Sequence, residues 1–202
     1  MQHPIVQDAL TSLRDKATTA SHFRRLTHRL SLVVAMDATR KLPMTLARVE
    51  TPMELAQGEV LDGDVVVVPV LRAGLGMVDA VLELLPHARV GHIGLQRDEH
   101  TALASRYYAR LPEKVAGSTA LIVDPMLATG GSALAAIEIL RQAGCKDIRL
   151  LCIVAAPEGV AAVEAVHPAL PIYTAAIDRE LDAHKFILPG LGDFGDRLYG
   201  TT

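Results

Sequence analysis

The segment STALIVDPMLATGGSALAAIEIL, residues 118–140, carries the pattern that decides the fold. Its first residues form a short apolar run, typical of a strand buried on both faces, which ends at Asp124. The loop Thr129–Ser132 follows, and the apolar spacing after it predicts a helix that ends at Gly144, a residue that suits a helix stop. A strand, a glycine-bearing loop and a helix in this order indicate an α/β fold.

The same order recurs on both sides of this segment. The predicted strands cover residues 64–71, 89–96, 118–124, 147–156 and 170–177. The helices predicted between and after them cover residues 78–85, 131–144 and 157–167. This alternation predicts a mostly parallel central sheet flanked by helices, with a ligand bound at the carboxyl ends of the strands.

The N-terminal residues and one internal stretch follow other patterns. Helical spacing predicts helices over residues 5–16 and 21–41, the second with Ser21 as its N-cap. Residues 42–52 alternate apolar and polar side chains, which indicates a half-exposed strand or hairpin arm. Residues 97–112 are polar and lack a helical stripe. We interpret them either as a surface excursion or as a flap over the strand ends.

The composition excludes several classes of function. The chain has 202 residues, 50% hydrophobic and 21% charged, which fits a compact fold. Aromatic residues are 3% and the net charge is −3, which argues against binding nucleic acid or an anionic membrane surface. Cys145 and Cys152 form no disulfide framework or metal cluster, so we expect reduced, buried thiols. The N-terminus has no signal-peptide pattern, so we expect a cytoplasmic location.

The loop after Asp124 has the composition of an anion-binding site. Four consecutive residues supply backbone N–H groups and two hydroxyls: Thr129, Gly130, Gly131 and Ser132. At a helix N-terminus, unpaired N–H groups and the helix dipole favour phosphate. Asp124 would repel a phosphate, but it can accept hydrogen bonds from sugar hydroxyls. The loop therefore predicts a ribose 5-phosphate ligand. The alternative is a strand–helix turn whose glycines serve close packing.

Four stretches together resemble one family. VDPMLATGGSA, residues 123–133, resembles the phosphoribosyl-diphosphate signature of the type I phosphoribosyltransferases, in the Asp-Pro-Met form of the uracil phosphoribosyltransferase family. PVLRAGLGM (69–77), GLQRDEHT (94–101) and ILPGLGDFGDR (187–197) resemble the same family. The four blocks occur in the family's order. The resemblance implies a single phosphoribosyltransferase domain over residues 1–202. Its core would span roughly residues 60–180, and a small hood would come from residues 1–58 and 181–202.

The resemblance implies transfer of the phosphoribosyl group of 5-phospho-α-D-ribose 1-diphosphate to uracil, which gives UMP and diphosphate in pyrimidine salvage. The residues that it implies for binding phosphoribosyl diphosphate are Arg72, Arg97, Asp124, Pro125, Met126, Leu127, Ala128, Thr129, Gly130, Gly131, Ser132 and Asp193. Arg72 and Asp193 are the catalytic candidates, and the amides of Gly74 and Gly76 could also reach the diphosphate. A Mg²⁺ cofactor is expected on the diphosphate, held by substrate and water without direct protein ligands.

The uracil site is implied in the C-terminal block. The residues expected to line the base are Ile187, Gly192, Asp193 and Phe194. Uracil presents an acceptor–donor–acceptor edge that backbone groups can pair in series, and such pairing disfavours cytosine. Asp193 and a diphosphate oxygen are both candidates for accepting the N1 proton. We expect residues 186–197 to be ordered and the chain to fray beyond.

The chain departs from the family at two positions, where Phe186 replaces the usual Tyr and Phe194 the usual Ala. The Phe194 ring could stack on the base, fill the pocket or pack under the hood. Two other functions stay open, a phosphoribosyltransferase for another base and a non-catalytic sensor of phosphoribosyl diphosphate. The resemblance also suggests a homodimer or higher homo-oligomer, and some members of the family respond to GTP as an effector.

Overall fold

The computed structural model describes residues 2–97 and 104–201, without the side chains of residues 96, 97 and 104–106. The helices are α1 (Pro4–Arg14), α2 (Ala20–Thr39), α3 (Leu75–Leu84), α4 (Gly131–Gln142), α5 (Pro157–Val166) and α6 (Phe194–Tyr199). The strands are β1 (Met44–Glu50), β2 (Leu55–Leu61), β3 (Val65–Leu71), β4 (Arg89–Val90), β5 (His92–Arg97), β6 (Ala104–Arg110), β7 (Thr119–Val123), β8 (Met126–Leu127), β9 (Asp147–Ala155), β10 (Ile172–Ile177), β11 (Glu180–Leu181) and β12 (Ile187–Leu188).

The central sheet has the strand order β10-β9-β7-β3-β5-β6, and two short strands join it, β4 beside β3 and β8 beside β9. Every pair is parallel except β5 with β6. The predicted fold class, a mostly parallel central sheet flanked by helices, is confirmed. The five predicted strands of the sheet and the five predicted helices are all present, although α3 begins three residues before its predicted start.

Both faces of the central strands are buried, because successive side chains point to opposite sides of a strand. On β3, Val66 and Val68 belong to one apolar cluster and Val67 to the other. On β7, Ile122 and Val123 divide between the clusters in the same way. The continuous β-branched runs in the sequence are therefore strands that contact a helical layer on each face.

Helices α2 and α3 pack on one face of the sheet, with α1 packed on α2, and α4 and α5 contribute to the apolar cluster of the other face. Phe23 and Leu30 of α2 are fully buried in the cluster that also contains Leu151 of β9. Helix α2 thus packs directly on the sheet, and the residues predicted for the hood include part of the main core. The predicted N-cap of α2 is wrong: Thr19, not Ser21, accepts a hydrogen bond from the amide of His22.

Residues 97–112 contain a strand that their sequence did not predict. β6 pairs antiparallel with β5 and forms the edge of the sheet. An edge strand is paired on one side only, so it needs no continuous apolar face, and Tyr107 and Tyr108 of β6 are exposed. The tip of the expected flap, residues 98–103, lies outside the described residues.

The predicted arm at residues 42–52 is the first strand of a hairpin, in which β1 pairs antiparallel with β2. Towards the C-terminus, β11 and β12 form a second short hairpin, and α6 follows. Order continues past the predicted limit at Arg197, because the amides of Gly200 and Thr201 still donate to the carbonyl of Asp196. Within the described residues, no helix has the length and apolar character needed to cross a bilayer.

Candidate active site

A pocket of about 280 Å³ lies at the carboxyl ends of β3 and β7, where an α/β sheet places its ligands. Its walls come from four parts of the chain, and nine of the predicted site residues line it: Arg72, Asp124, Met126, Ala128, Ser132, Ile187, Gly192, Asp193 and Phe194. The structure thus brings the loop after β7 and the loop before α6 to one cavity, although about 60 residues separate them in the sequence.

The loop after β7 presents the N-terminus of α4. Gly130 occupies the N-cap with φ of +85°, and no side chain caps the helix. The first amides of a helix have no partner within it, so those of α4 can bind an anion. A Cβ on Gly130 would lie 3.1 Å from both Ala162 Cβ and Gly159 O, whereas one on Gly131 would approach only Thr129 Oγ1, at 3.8 Å.

The base of this loop is held by the neighbouring strand. The carbonyl of Pro125 accepts hydrogen bonds from the amides of Ile153 and Val154, both at 3.0 Å, and that of Leu127 accepts one from Ala156 at 2.8 Å. Pro125 and Leu127 are buried, whereas Met126 faces the pocket. Of these three predicted residues, two therefore support the loop from below and one lines the cavity.

Asp124 follows β7 and turns its half-buried side chain to the pocket. Its Oδ1 accepts a hydrogen bond of 3.5 Å from the amide of Met126. Burial, with a smaller contribution from the Asp124 charge, raises the pKa of Cys152 to about 12. Cys152 is therefore a neutral thiol at physiological pH and is unsuited to act as a nucleophile.

Arg72 follows β3 directly, and its Leu71–Arg72 peptide bond is cis. Its side chain is 65% exposed, and Nη2 lies 3.9 Å from Asp196 Oδ1. The amides expected to help it on the diphosphate are already used, since Gly74 donates to Val70 O and Gly76 to Ala73 O. Both glycines instead allow close packing, and a Cβ on Gly74 would clash with Val123 O at 2.3 Å. The side chain of Arg97, at the end of β5, lies outside the described residues.

Asp193 and Gly192 form the entrance to α6. Asp193 is the N-cap of this helix, where its Oδ1 accepts a hydrogen bond of 2.9 Å from the amide of Asp196. Gly192 has φ of +72°, which a residue with a Cβ rarely adopts. The Asp193 carboxylate thus has a structural function as well as a position on the pocket wall.

Phe194 borders the pocket but points into the core. It is 3% exposed, and its ring meets that of Phe23 edge to face with 5.0 Å between the centroids. The guanidinium of Arg197 lies 4.5 Å from the centre of the Phe23 ring. Among the three expected positions for the Phe194 ring, the structure has the one packed under the hood, so the ring anchors α6 on α2.

Eight further residues line the pocket that were not among the predicted site residues, and three of them are consecutive: His184, Lys185 and Phe186. They lie in the turn of the β11–β12 hairpin, where Asp182 Oδ1 accepts hydrogen bonds from the amides of His184 and Phe186. Lys185 has φ of +67°. Asp182 is the signal in the sequence for this turn, because an Asp at the start of a turn accepts hydrogen bonds from the backbone of the residues that follow it.

Metal-binding groups are sparse in this region. Within residues 2–97 and 104–201, no cluster of three or more His, Cys, Asp or Glu side chains has the geometry to hold a metal ion. The carboxylates on the pocket wall are those of Asp124 and Asp193. Oxygen ligands suit Mg²⁺, which usually keeps several waters and binds few protein groups. Within the described residues, this donor set fits a Mg²⁺ ion that keeps most of its waters, with the two carboxylates as the groups that would face it.

Comparison with known proteins shows the family of this chain. A family model described as uracil phosphoribosyltransferase matches residues 1–201. The chain belongs to the uracil phosphoribosyltransferase family. A member from Dictyoglomus thermophilum is 52% identical over 202 residues, which cover 100% of this chain and 98% of the relative.

Two solved structures share the fold of this chain. The AQ2163 protein from Aquifex aeolicus has a TM-score of 0.95 at 32% identity, with 100% of this chain and 97% of that one covered. A purine phosphoribosyltransferase from Pyrococcus horikoshii has a TM-score of 0.53 at 16% identity, with 76% and 83% covered. At that identity the second likeness shows the fold alone, that of the phosphoribosyltransferases.

Proposed function

We propose that this chain is a uracil phosphoribosyltransferase, which transfers the phosphoribosyl group of 5-phospho-α-D-ribose 1-diphosphate to uracil and releases UMP and diphosphate. This is a step of pyrimidine salvage. The observation that carries the proposal is the shared pocket. The loop after β7 and the loop before α6 line one cavity at the strand ends, in a chain that belongs to the family.

The phosphoribosyl half of the substrate matches the loop after β7. The uncapped N-terminus of α4 suits the 5-phosphate, with the Thr129 and Ser132 hydroxyls beside it. Asp124 lines the same pocket, and its carboxylate can accept hydrogen bonds from the ribose hydroxyls. This arrangement fixes C1′ in the open part of the cavity, where positioning alone can supply much of the rate enhancement.

The diphosphate is a leaving group that gains charge in the transition state. Arg72 lies on the pocket wall with an exposed guanidinium that can follow the diphosphate. We assign Arg97 the same role, on the resemblance of its sequence block to the family. A bound Mg²⁺ would supply further charge neutralisation on the diphosphate oxygens. Asp193 and Asp124 would contact the waters of that ion.

The base is assigned to the wall formed by Ile187, Gly192 and Phe194. Ile187 and Gly192 lie in strands and turns whose backbone can pair with O2, N3–H and O4 of uracil. The Phe194 ring packs on Phe23 and borders the cavity, so it supports the base wall from behind and leaves space for uracil. The N1 proton can pass to Asp193 or to a diphosphate oxygen.

A panel of bases tests the assignment. The purified chain is incubated with phosphoribosyl diphosphate, Mg²⁺ and each of uracil, cytosine, hypoxanthine, guanine and adenine, and release of diphosphate is followed. We expect UMP from uracil and little product from the others. Product from another base alone would contradict the substrate. If no base reacts while phosphoribosyl diphosphate still binds, the chain is the non-catalytic sensor.

We also propose a homo-oligomer, supported by the β1–β2 hairpin. Seven large apolar side chains of residues 44–61 are exposed, Leu46 and Leu55 to 77% and 76%, and exposed apolar surface concentrated in one part of the chain is typical of interfaces. Light scattering should give a multiple of the 21.6 kDa chain mass. Leu46→Glu should lower that mass, whereas Val166→Glu, at an exposed apolar position on α5, should not. A monomeric wild-type chain would contradict the proposal.

A nucleotide effector such as GTP has a candidate site as well. A cleft of about 640 Å³ between α2, α3 and α6 is lined by Arg24, Arg25 and Arg29, and Tyr199 beside it donates a hydrogen bond to Arg72 O. We expect GTP to change the activity with phosphoribosyl diphosphate. Arg29→Ala should abolish the response and Arg40→Ala, outside the cleft, should keep it. A wild-type enzyme whose activity does not change with GTP would contradict this.

A cytoplasmic location stays a prediction.

A further inference from the structure

A single ion pair holds both backbone groups of Gly190. Arg14, the last residue of α1, donates to both carboxylate oxygens of Asp178, at 2.5 and 2.8 Å. The same carboxylate accepts a hydrogen bond of 2.8 Å from the amide of Gly190. The Arg14 guanidinium donates to the carbonyl of Gly190, also at 2.8 Å. Gly190 therefore has its N–H on the anion and its C=O on the cation of one pair.

Gly190 lies between the residues that line the base wall. Ile187 precedes it by three positions and Gly192 follows it by two, and both contact the pocket. The turn is tight: Gly190 has φ of +62°, and a Cβ there would lie 2.1 Å from the carbonyl oxygen of Ile187. A shift of Gly190 would consequently displace the backbone of Ile187 and Gly192.

The pair is shielded and its partners come from distant elements. The side chain of Asp178 is 4% exposed and that of Arg14 is 26% exposed. Asp178 is also fixed at its own backbone, since its amide donates to Ala155 O at the end of β9. A buried, charge-assisted network with its groups satisfied holds one arrangement of its neighbours. This network ties the turn to the sheet and to α1.

We propose that Arg14 and Asp178 are positioning residues for base recognition, which hold residues 187–192 in the arrangement that pairs with uracil. The inference rests on the proposed function. Recognition by backbone groups depends on where the chain lies, because no side chain can rotate to correct a displaced N–H or C=O. The loop after β7 has separate supports, the hydrogen bonds from β9. Loss of the pair should therefore affect uracil and leave phosphoribosyl diphosphate.

The test compares the Michaelis constants of the two substrates. Arg14→Met keeps the apolar stem and removes the cation, and Asp178→Asn keeps an acceptor for Gly190 and removes the charge. In each variant we expect KM for uracil to rise roughly tenfold or more. KM for phosphoribosyl diphosphate should change less than about twofold. Arg14→Lys, which restores the charge with fewer donors, should recover part of the uracil affinity.

Arg149→Met is the matched control. Arg149 is another buried arginine that pairs with an aspartate, Asp147, and donates to a backbone carbonyl, that of Ala38, away from the pocket. It should lower the melting temperature without a selective effect on uracil. If the Asp178 variant fails to fold, the two Arg14 variants decide the question.

Three results are distinguishable. A wild-type enzyme that makes no UMP would overturn the proposed function itself. A wild type that makes UMP, with Arg14 variants whose KM for uracil is unchanged, would overturn the positioning role alone. An equal rise in both Michaelis constants, or a loss matched by Arg149→Met, would show a general structural effect and would also overturn it.

Discussion

The two adjacent glycines of the loop after β7 differ in what requires them. Gly130 needs its lack of a side chain, because its φ is +85° and α5 approaches to 3.1 Å of a would-be Cβ. Gly131 begins α4, and among the described residues no atom crowds it. The sequence offered two explanations for these glycines, anion binding and close packing, and the structure attaches the packing explanation to Gly130.

Substitution by alanine should separate them. Gly130→Ala should lower the free energy of unfolding by about 1–2 kcal/mol, because the left-handed conformation is costly for alanine. Gly131→Ala should change it by less than about 0.5 kcal/mol. Its Cβ would enter the space that we assign to the 5-phosphate, so KM for phosphoribosyl diphosphate should rise about tenfold or more. Urea denaturation and initial rates measure the two effects. An unchanged KM in Gly131→Ala would contradict the phosphate assignment.

Asp124 gives a second prediction at this scale. Asp124→Asn keeps the shape of the side chain and its hydrogen bond with the Met126 amide, but it removes the charge that favours sugar hydroxyls. We expect weaker binding or slower turnover of phosphoribosyl diphosphate, by about tenfold. The melting temperature should stay near the wild-type value. A large thermal loss with little kinetic effect would assign Asp124 to packing.

Helix α6 combines folding and chemistry in one side chain, that of Asp193. The carboxylate caps the helix, and we also place it at the substrate. Asparagine caps a helix about as well as aspartate, whereas alanine does not. Asp193→Ala should therefore lose about 1 kcal/mol of stability, and Asp193→Asn almost none. If the charge acts on the substrates, both variants should lose activity. An active Asp193→Asn beside an inactive Asp193→Ala would show that only the cap matters.

Elements were predictable from the sequence where their pattern is set by burial alone. β3, β7 and β9 are buried on both faces, so their apolar runs identify them. β6 has a single sheet neighbour and exposed tyrosines, so it lacks that pattern. Helix α6 has only six residues, too few to show periodicity, and its position depends on the contact between Phe194 and Phe23, which are far apart in the sequence.

The candidate site also has parts that the sequence predicts and parts that it does not. The loop Thr129–Ser132 is one continuous segment, and the apolar patterns of the strand before it and of the helix after it predict its position. The contribution of His184, Lys185 and Phe186 depends on how the β11–β12 hairpin lies against the sheet, which local sequence does not specify. Local sequence does not specify the ion pair of Arg14 and Asp178 either, because the two residues are 164 positions apart.

At the scale of the whole molecule, α2 is tied to the sheet by Arg149, whose guanidinium donates to Ala38 O near the end of the helix and to the Asp147 carboxylate. Its hydrogen bonds, with a further one from Thr119, lower the pKa of Asp147 below its ordinary value of 3.8. A carboxyl with a lowered pKa in the folded state stabilises the protein above its unfolded pKa. That stabilisation is lost as the pH falls through the folded pKa.

Asp147→Asn should accordingly be less stable than wild type at pH 7, and the gap should stay constant down to about pH 5. Below the ordinary value of 3.8 the gap should shrink, because the carboxyl of the unfolded wild-type chain then takes up a proton before the carboxyl of the folded chain does. Urea midpoints measured at pH 7, 5 and 3.5 follow this directly. A gap that is independent of pH would assign the effect to lost hydrogen-bond geometry instead of charge.

The contact between Arg14 and Gly190 spans 176 residues of the chain. A ribosome makes α1 long before it makes the turn at Gly190, so α1 must wait for its partner while the sheet between them forms. Contacts of such long range are among the slowest to form. The wall that we assign to uracil can therefore be completed only after residues 178–199 have emerged, so it is the last part of the pocket to form, after the loop that follows β7 and directly after β10 has joined the sheet.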